Sequence, residues 1–115
     1  MAHRILLVDD EPFNLDLLEQ ELADQGHSIA TCASGEEALE KLPGFQPDLI
    51  LLDYMMPGMN GLEVLKEIRR KGLDTPVVII TAHGTIERAV ETMKEGAEDF
   101  LTKPFDPDHL AIEVK

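Results

Sequence analysis

The chain has 115 residues, 43% hydrophobic and 4% aromatic, with a formal net charge of −13. That length suits one domain over 1–115, with an aliphatic core of Leu, Ile, Val, Ala and Met. The acidic balance repels a phosphate backbone, so direct nucleic-acid contact by this domain is excluded as an expectation.

The run Arg4-Ile5-Leu6-Leu7-Val8 predicts a strand over 4–8. Pro12, acceptable in a first helical turn, opens a helix over 12–25. Leu15, Leu18 and Leu22 share its sheet-facing side. Phe13 and Leu17 fall on the opposite side, an outward apolar pair that the core does not explain. A second strand over 28–32 ends at Cys32, which reads as a small buried apolar residue. As the chain's one cysteine it rules out an intrachain disulfide, and a cysteine-built zinc site is not expected. Ser34 and Glu37 have capping-box spacing before a helix over 35–42, and Pro43 and Pro47 are expected to bracket a turn. A third strand covers 48–53 and a helix 61–71. Pro76 precedes a fourth strand over 77–81. In the next helix, 86–96, Ile86, Ala89, Val90 and Met93 share one face, leaving Glu87, Arg88, Glu91 and Glu95 to water. A fifth strand covers 99–102, and a last helix starts near 107, where Leu110 and Val114 begin a stripe cut short at Lys115. That stub suggests a segment of a longer protein. Gly26, Gly72 and Gly96 sit where helices should stop. Alternating strands and helices predict an α/β fold, a five-stranded parallel sheet with helices on both faces and right-handed crossovers. The start of the chain has no signal-peptide layout, and no apolar run approaches a bilayer's span, so the expected setting is cytoplasmic, without a membrane partner.

The chemistry lies where predicted strands end. Asp9-Asp10 follows the first, Asp53 closes the third ahead of Met55-Met56-Pro57-Gly58, Thr81 ends the fourth, and Lys103-Pro104 follows the fifth. Singly, each has a plain reading: a helix cap, a turn acid, a surface lysine. In a parallel sheet these ends share one edge. Three carboxylates, a hydroxyl and an ammonium would converge there, a set suited to holding a divalent cation and moving a phosphoryl group. An Asp carboxylate is a competent nucleophile and forms an acyl phosphate. His3, His27, His83 and His109 lack metal-ligand spacing, and Met55, Met56 and Met59 are expected to pack around the Pro-Gly loop.

This joint pattern resembles the receiver domains of two-component response regulators, typified by the chemotaxis response regulator, over essentially the whole chain. The resemblance implies a flavodoxin-like sheet with strand order 2-1-3-4-5. It implies Asp53 as phosphoacceptor for a sensor histidine kinase or histidine phosphotransfer domain. It implies Mg²⁺ (or Mn²⁺) on Asp10, Asp53 and the Met55 carbonyl, with Asp9 acting through water. Thr81 and Lys103 would bind phosphoryl oxygens, Phe100 would be the aromatic switch, and Lys103–Pro104 would be a cis bond. Met55 and His83 would flank the path of hydrolytic water, and Phe13 and Leu17 would dock the kinase. The surface of the fourth helix, fifth strand and fifth helix would be reshaped, and is a candidate homodimer face. The chain would not be an enzyme beyond self-catalysed transfer to Asp53 and hydrolysis of the product. Thr81-Ala82-His83-Gly84-Thr85-Ile86, Met93-Lys94-Glu95-Gly96-Ala97 and Asp99-Phe100-Leu101-Thr102-Lys103-Pro104-Phe105 look like receivers of AAA+ enhancer-binding transcription activators, which implies transcriptional control through an output domain outside this chain.

Three other functions fit less well. A flavin binder needs a Ser/Thr/Gly-rich first loop, and Asp9-Asp10-Glu11-Pro12 would repel its phosphate. A haloacid-dehalogenase-type phosphatase needs a second acid two residues after its nucleophile, where Met55 stands. An interaction module that is never phosphorylated would be expected to lack a site residue, and none is missing.

Overall fold

The computed structural model describes residues 3–81 and 85–102. The expected final helix from 107 lies outside them. In chain order the elements are β1 Arg4–Val8, α1 Pro12–Asp24, β2 Ser28–Cys32, α2 Gly35–Phe45, β3 Leu49–Asp53, α3 Gly61–Arg70, β4 Val77–Thr81, α4 Ile86–Lys94 and β5 Asp99–Thr102. The strands form one parallel sheet in the order β2-β1-β3-β4-β5. All ten residues of the interior strands β3 and β4 are buried. A parallel strand covered on both faces has no polar side to present, which is why these segments read as unbroken apolar runs.

Side-chain alternation sorts the sheet into two layers. Leu6, Val8, Ile50, Leu52, Val77 and Ile79 meet Ala38 and Leu42 of α2 and Val64, Leu65 and Ile68 of α3. Ile5, Leu7, Leu51, Val78 and Ile80 form the other layer with Leu22 of α1, against which Leu15 and Leu18 pack. Burying each such side chain contributes about 1.5–3 kcal/mol against leaving it in water. Phe13 and Leu17 stand out on the far side of α1, as expected, at 70% and 49% exposure. Cys32 is buried, and burial pushes its thiol from the ordinary 9.0 up to about 11, the nearby Lys41 opposing and Glu37 adding to the rise. It is thus a neutral core side chain at physiological pH. Among the described residues, no helix is long and apolar enough to cross a membrane.

The local signals mostly work as expected. Gly26, Gly72 and Gly96 adopt φ of 90°, 80° and 100° just beyond α1, α3 and α4. At α2, Ser34 accepts from the Glu37 N–H at 3.2 Å, but Glu37 Oε1 accepts from Ala33 N–H at 2.8 Å, one residue beyond the expected box partner. A complete capping box forms instead at α3, between Asn60 and Glu63.

Two expectations are corrected. Pro43 does not bracket a turn with Pro47; it sits inside α2, which runs on to Phe45. The helix stops at Gln46, a left-handed residue (φ 52°) whose N–H donates to the Leu42 carbonyl at 3.0 Å, so the turn is made by Gln46 and Pro47. In α4 the expected apolar stripe, Ala89 apart, is not the buried face. Ile86 is 83% exposed and Val90 and Met93 nearly half so. The inward side is Arg88, Ala89 and Thr92, of which Thr92 is fully buried. Thr92 can face inward because its hydroxyl donates to the Ala89 carbonyl at 3.0 Å, which removes the penalty of burying an unbonded polar group.

Candidate functional site

The site grows from strand register. Val8 of β1 lies opposite Leu52 of β3, so the next residues, Asp9 and Asp53, come side by side at the carboxyl edge. Each of Asp9, Asp10 and Asp53 offers an oxygen, and these oxygens lie within 4.8 Å of one another. Asp9 and Asp53 are buried and Asp10 is exposed, so the cluster has a dry floor and an open rim. Two unit charges at that spacing repel by roughly 3 kcal/mol in a medium of intermediate dielectric. A divalent cation would relieve this, and an all-oxygen donor set suits a hard ion such as Mg²⁺.

Hydrogen bonds orient the acids. Asp9 Oδ1 accepts from the Glu11 N–H at 2.9 Å and Asp9 Oδ2 from the Asn14 side-chain amide at 3.4 Å. The Asp9 N–H donates to the Cys32 carbonyl at 3.0 Å, anchoring the loop to β2. Neither of the adjacent aspartates caps α1: its N-cap is Glu11, with no side-chain cap. Asp53 Oδ1 accepts from the Met55 N–H at 3.3 Å. Of the three methionines expected to pack around the loop, Met56 is buried and Met59 packs on the core. Met55 departs from the expectation and is 45% exposed beside the acids.

Thr81 is fully buried at the end of β4, one residue past Ile80, the register partner of Asp53. Phe100, in β5, is half-buried and packs against the α2–α3 side of the core. Lys103 and His83 lie outside the described residues, as does the Lys103–Pro104 bond.

Three residues near the acids escape the sequence reasoning. Asn14 reaches Asp9 only because α1 starts where it does. Tyr54 directly follows the strand-end acid, and its position next to Asp53 is a usable signal. Gly61 is the third. Its N–H donates to the Tyr54 carbonyl at 2.8 Å, and a Cβ there would sit 2.6 Å from the Asp53 carbonyl oxygen and 2.8 Å from Tyr54 Cα. The start of α3 is thus pressed against the backbone of the acid-bearing strand, and no larger residue fits without displacing it.

Comparison with known proteins agrees with the fold. The family model for the response regulator receiver domain matches residues 5–115. The nitrogen assimilation regulatory protein NtrX of Azorhizobium caulinodans is 44% identical over 114 residues, 97% of this chain and 25% of that protein. The alkaline phosphatase synthesis transcriptional regulatory protein PhoP of Bacillus subtilis is 40% identical over 115 residues, 100% of this chain and 48% of that protein. The solved receiver domain of NtrX from Brucella abortus superposes with a TM-score of 0.88 at 39% identity, covering 96% of this chain and 93% of that one. The chain spans a quarter to a half of the length of these two curated relatives.

Gly61→Ala is expected to cost about 1–3 kcal/mol by overpacking against the strand end. Denaturant unfolding measures that loss, and a stability unchanged by the added methyl would show that the close approach is not constraining.

Proposed function

Given that the chain belongs to the response regulator receiver-domain family, we propose that Asp53 is its phosphoacceptor, taking a phosphoryl group from the histidine of a sensor kinase or phosphotransfer domain. The convergence of Asp9, Asp10 and Asp53 within 4.8 Å is the observation that carries this reading. A carboxylate oxygen of Asp53 attacks phosphorus, the P–N bond breaks, and the histidine leaves, taking a proton. The product is an acyl phosphate, which water later cleaves. The chain acts on itself here rather than turning over a separate substrate.

Asp9, Asp10, Asp53 and the Met55 carbonyl are the residues proposed to hold Mg²⁺ or Mn²⁺. When bound, that ion supplies the positive charge that lets an anionic phosphoryl group approach three carboxylates. The Met55 N–H donates to Asp53 Oδ1 and so steadies the orientation of the carboxylate. The Thr81 hydroxyl and Lys103 ammonium are proposed to receive the phosphoryl oxygens, with Phe100 turning inward as they do. The likeness to NtrX and PhoP supports transcription as the controlled process.

Wild type is expected to be labelled by acetyl phosphate only with Mg²⁺ present, and Asp53→Asn to abolish the labelling. Asp10→Asn should weaken Mg²⁺ affinity by about tenfold or more while leaving unfolding nearly unchanged. Label retained in Asp53→Asn at the same site would overturn the assignment.

The exposed pair Phe13 and Leu17 is proposed as part of the kinase-docking surface, since a partner helix would cover what the core leaves open. The double change Phe13→Ala, Leu17→Ala should slow transfer from the cognate kinase by roughly tenfold or more. It should spare labelling by acetyl phosphate; equal loss in both assays would mean damage to the fold instead. The exposed stripe on α4 is proposed to belong to the face that phosphorylation reshapes and that could pair two copies, which light scattering before and after labelling would read.

Met55, exposed beside Asp53, is proposed to shield the acyl phosphate, because a thioether orients water poorly. His83 is proposed to act on the same water path. Met55→Asn should shorten the lifetime of labelled protein in Mg²⁺ buffer, and a lifetime unchanged or lengthened would show that side-chain access at this position does not set the rate.

A further inference from the structure

Tyr54 is covalently next to Asp53, and it is buried. Its backbone is held from both sides. The N–H donates to the Ile80 carbonyl of β4 at 2.9 Å, and the carbonyl accepts from Gly61 at the start of α3 at 2.8 Å. Its ring meets Phe100 of β5 edge-on, centroids 6.5 Å apart and planes at 70°. The guanidinium of Arg88, on α4, lies over the same ring at 5.0 Å from its centroid. One residue adjoining the reactive carboxylate therefore touches β4, α3, β5 and α4.

Both ring contacts are directional. Edge-to-face packing and a cation over a π face depend on the ring's tilt and position, so a small shift of Tyr54 is felt at both ends. The backbone has little room to absorb such a shift alone, because α3 is pressed against Tyr54 Cα at Gly61. Arg88 adds an electrostatic term. A phosphoryl group on the neighbouring residue brings new negative charge towards which a guanidinium is drawn. Resting on the ring and turning towards that charge are competing positions for the same side chain.

We propose that Tyr54 is a positioning residue that couples the state of Asp53 to α4, with Arg88 resting on its ring in the form described here. The inference rests on the phosphoacceptor reading. It adds a route: acceptor, tyrosine ring, then guanidinium and α4, alongside the expected turn of Phe100. It also gives α4 a reason to bury its Arg88 side and not its apolar stripe.

The test compares amide hydrogen exchange in α4 before and after labelling by acetyl phosphate with Mg²⁺, normalised to the labelled fraction. Wild type should show a change in α4. Tyr54→Leu should still be labelled, while its α4 response falls at least about fivefold, the lower end of ordinary coupling energies. Tyr54→Phe, which keeps the ring, should retain both. If circular dichroism shows Tyr54→Leu unfolded, Arg88→Gln takes its place, with normal labelling and a comparable loss of response expected. A full α4 response in Tyr54→Leu or Arg88→Gln overturns the proposal. So does a loss in Tyr54→Phe equal to that in Tyr54→Leu, or a folded Tyr54→Leu that no longer takes label. Wild type that takes no label sinks the phosphoacceptor reading itself; wild type that is labelled with α4 unchanged sinks only the coupling.

Discussion

Carboxylates repel, yet β1 and β3 deliver two of them to one point because Val8 and Leu52 are paired in a parallel ladder. A slip of one residue would point each strand's side chains at the wrong layer, so the aliphatic core enforces the register and the register enforces the site. The repulsion at the sheet edge is carried by apolar burial elsewhere. Ile5, Leu6, Leu7 and Val8 of β1 and Ile50, Leu51 and Leu52 of β3 are almost wholly buried, directly behind the acids. Stability and chemistry are therefore separated along each strand: apolar residues first, an acid at the end.

That separation is why so much was legible in the residues alone. Buried strands such as Val77-Val78-Ile79-Ile80 announce themselves by composition, and every strand was placed within one residue of its observed limits. Helix ends followed from glycines and caps. What failed was the facing of α4. Helical periodicity locates a stripe but does not say what covers it, and here the apolar stripe is exposed while a threonine bonded to its own helix and an arginine lying over an aromatic ring go inward. Pro43 misled for a related reason: a proline inside a helix forfeits its own i→i−4 bond and normally marks a break, yet α2 carries it, and the signal for the stop was the left-handed Gln46. At the site, the acids were readable from strand ends and Tyr54 from its place next to Asp53, but Asn14 and Gly61 depend on approach across elements, which spacing along the chain does not encode.

The attachment of α4 is uneven. Thr92 is its only buried residue. Its start is capped by Thr85, whose hydroxyl accepts from the Arg88 N–H at 3.1 Å. Its far end is tied down by Arg69 of α3, which donates to the Gly96 carbonyl at 2.7 Å and to those of Leu73 and Thr75 at 2.9 Å each. An element with few buried contacts belongs to the low-stability end of a fold, where moving parts are drawn from. A helix anchored at its tail and resting through one arginine on a ring near its head is suited to pivot rather than to slide.

The burial of Tyr54 has an optical consequence. The chain has one tyrosine and no tryptophan. Near-ultraviolet emission from the entire domain thus originates in a single ring, flanked by a guanidinium and the edge of Phe100 and bonded through its backbone to the acid-bearing strand. Under the proposed function that ring adjoins the residue that takes the cation and the phosphoryl group, so cation binding and phosphorylation of the neighbouring carboxylate are events that the protein would report in a cuvette without an added probe.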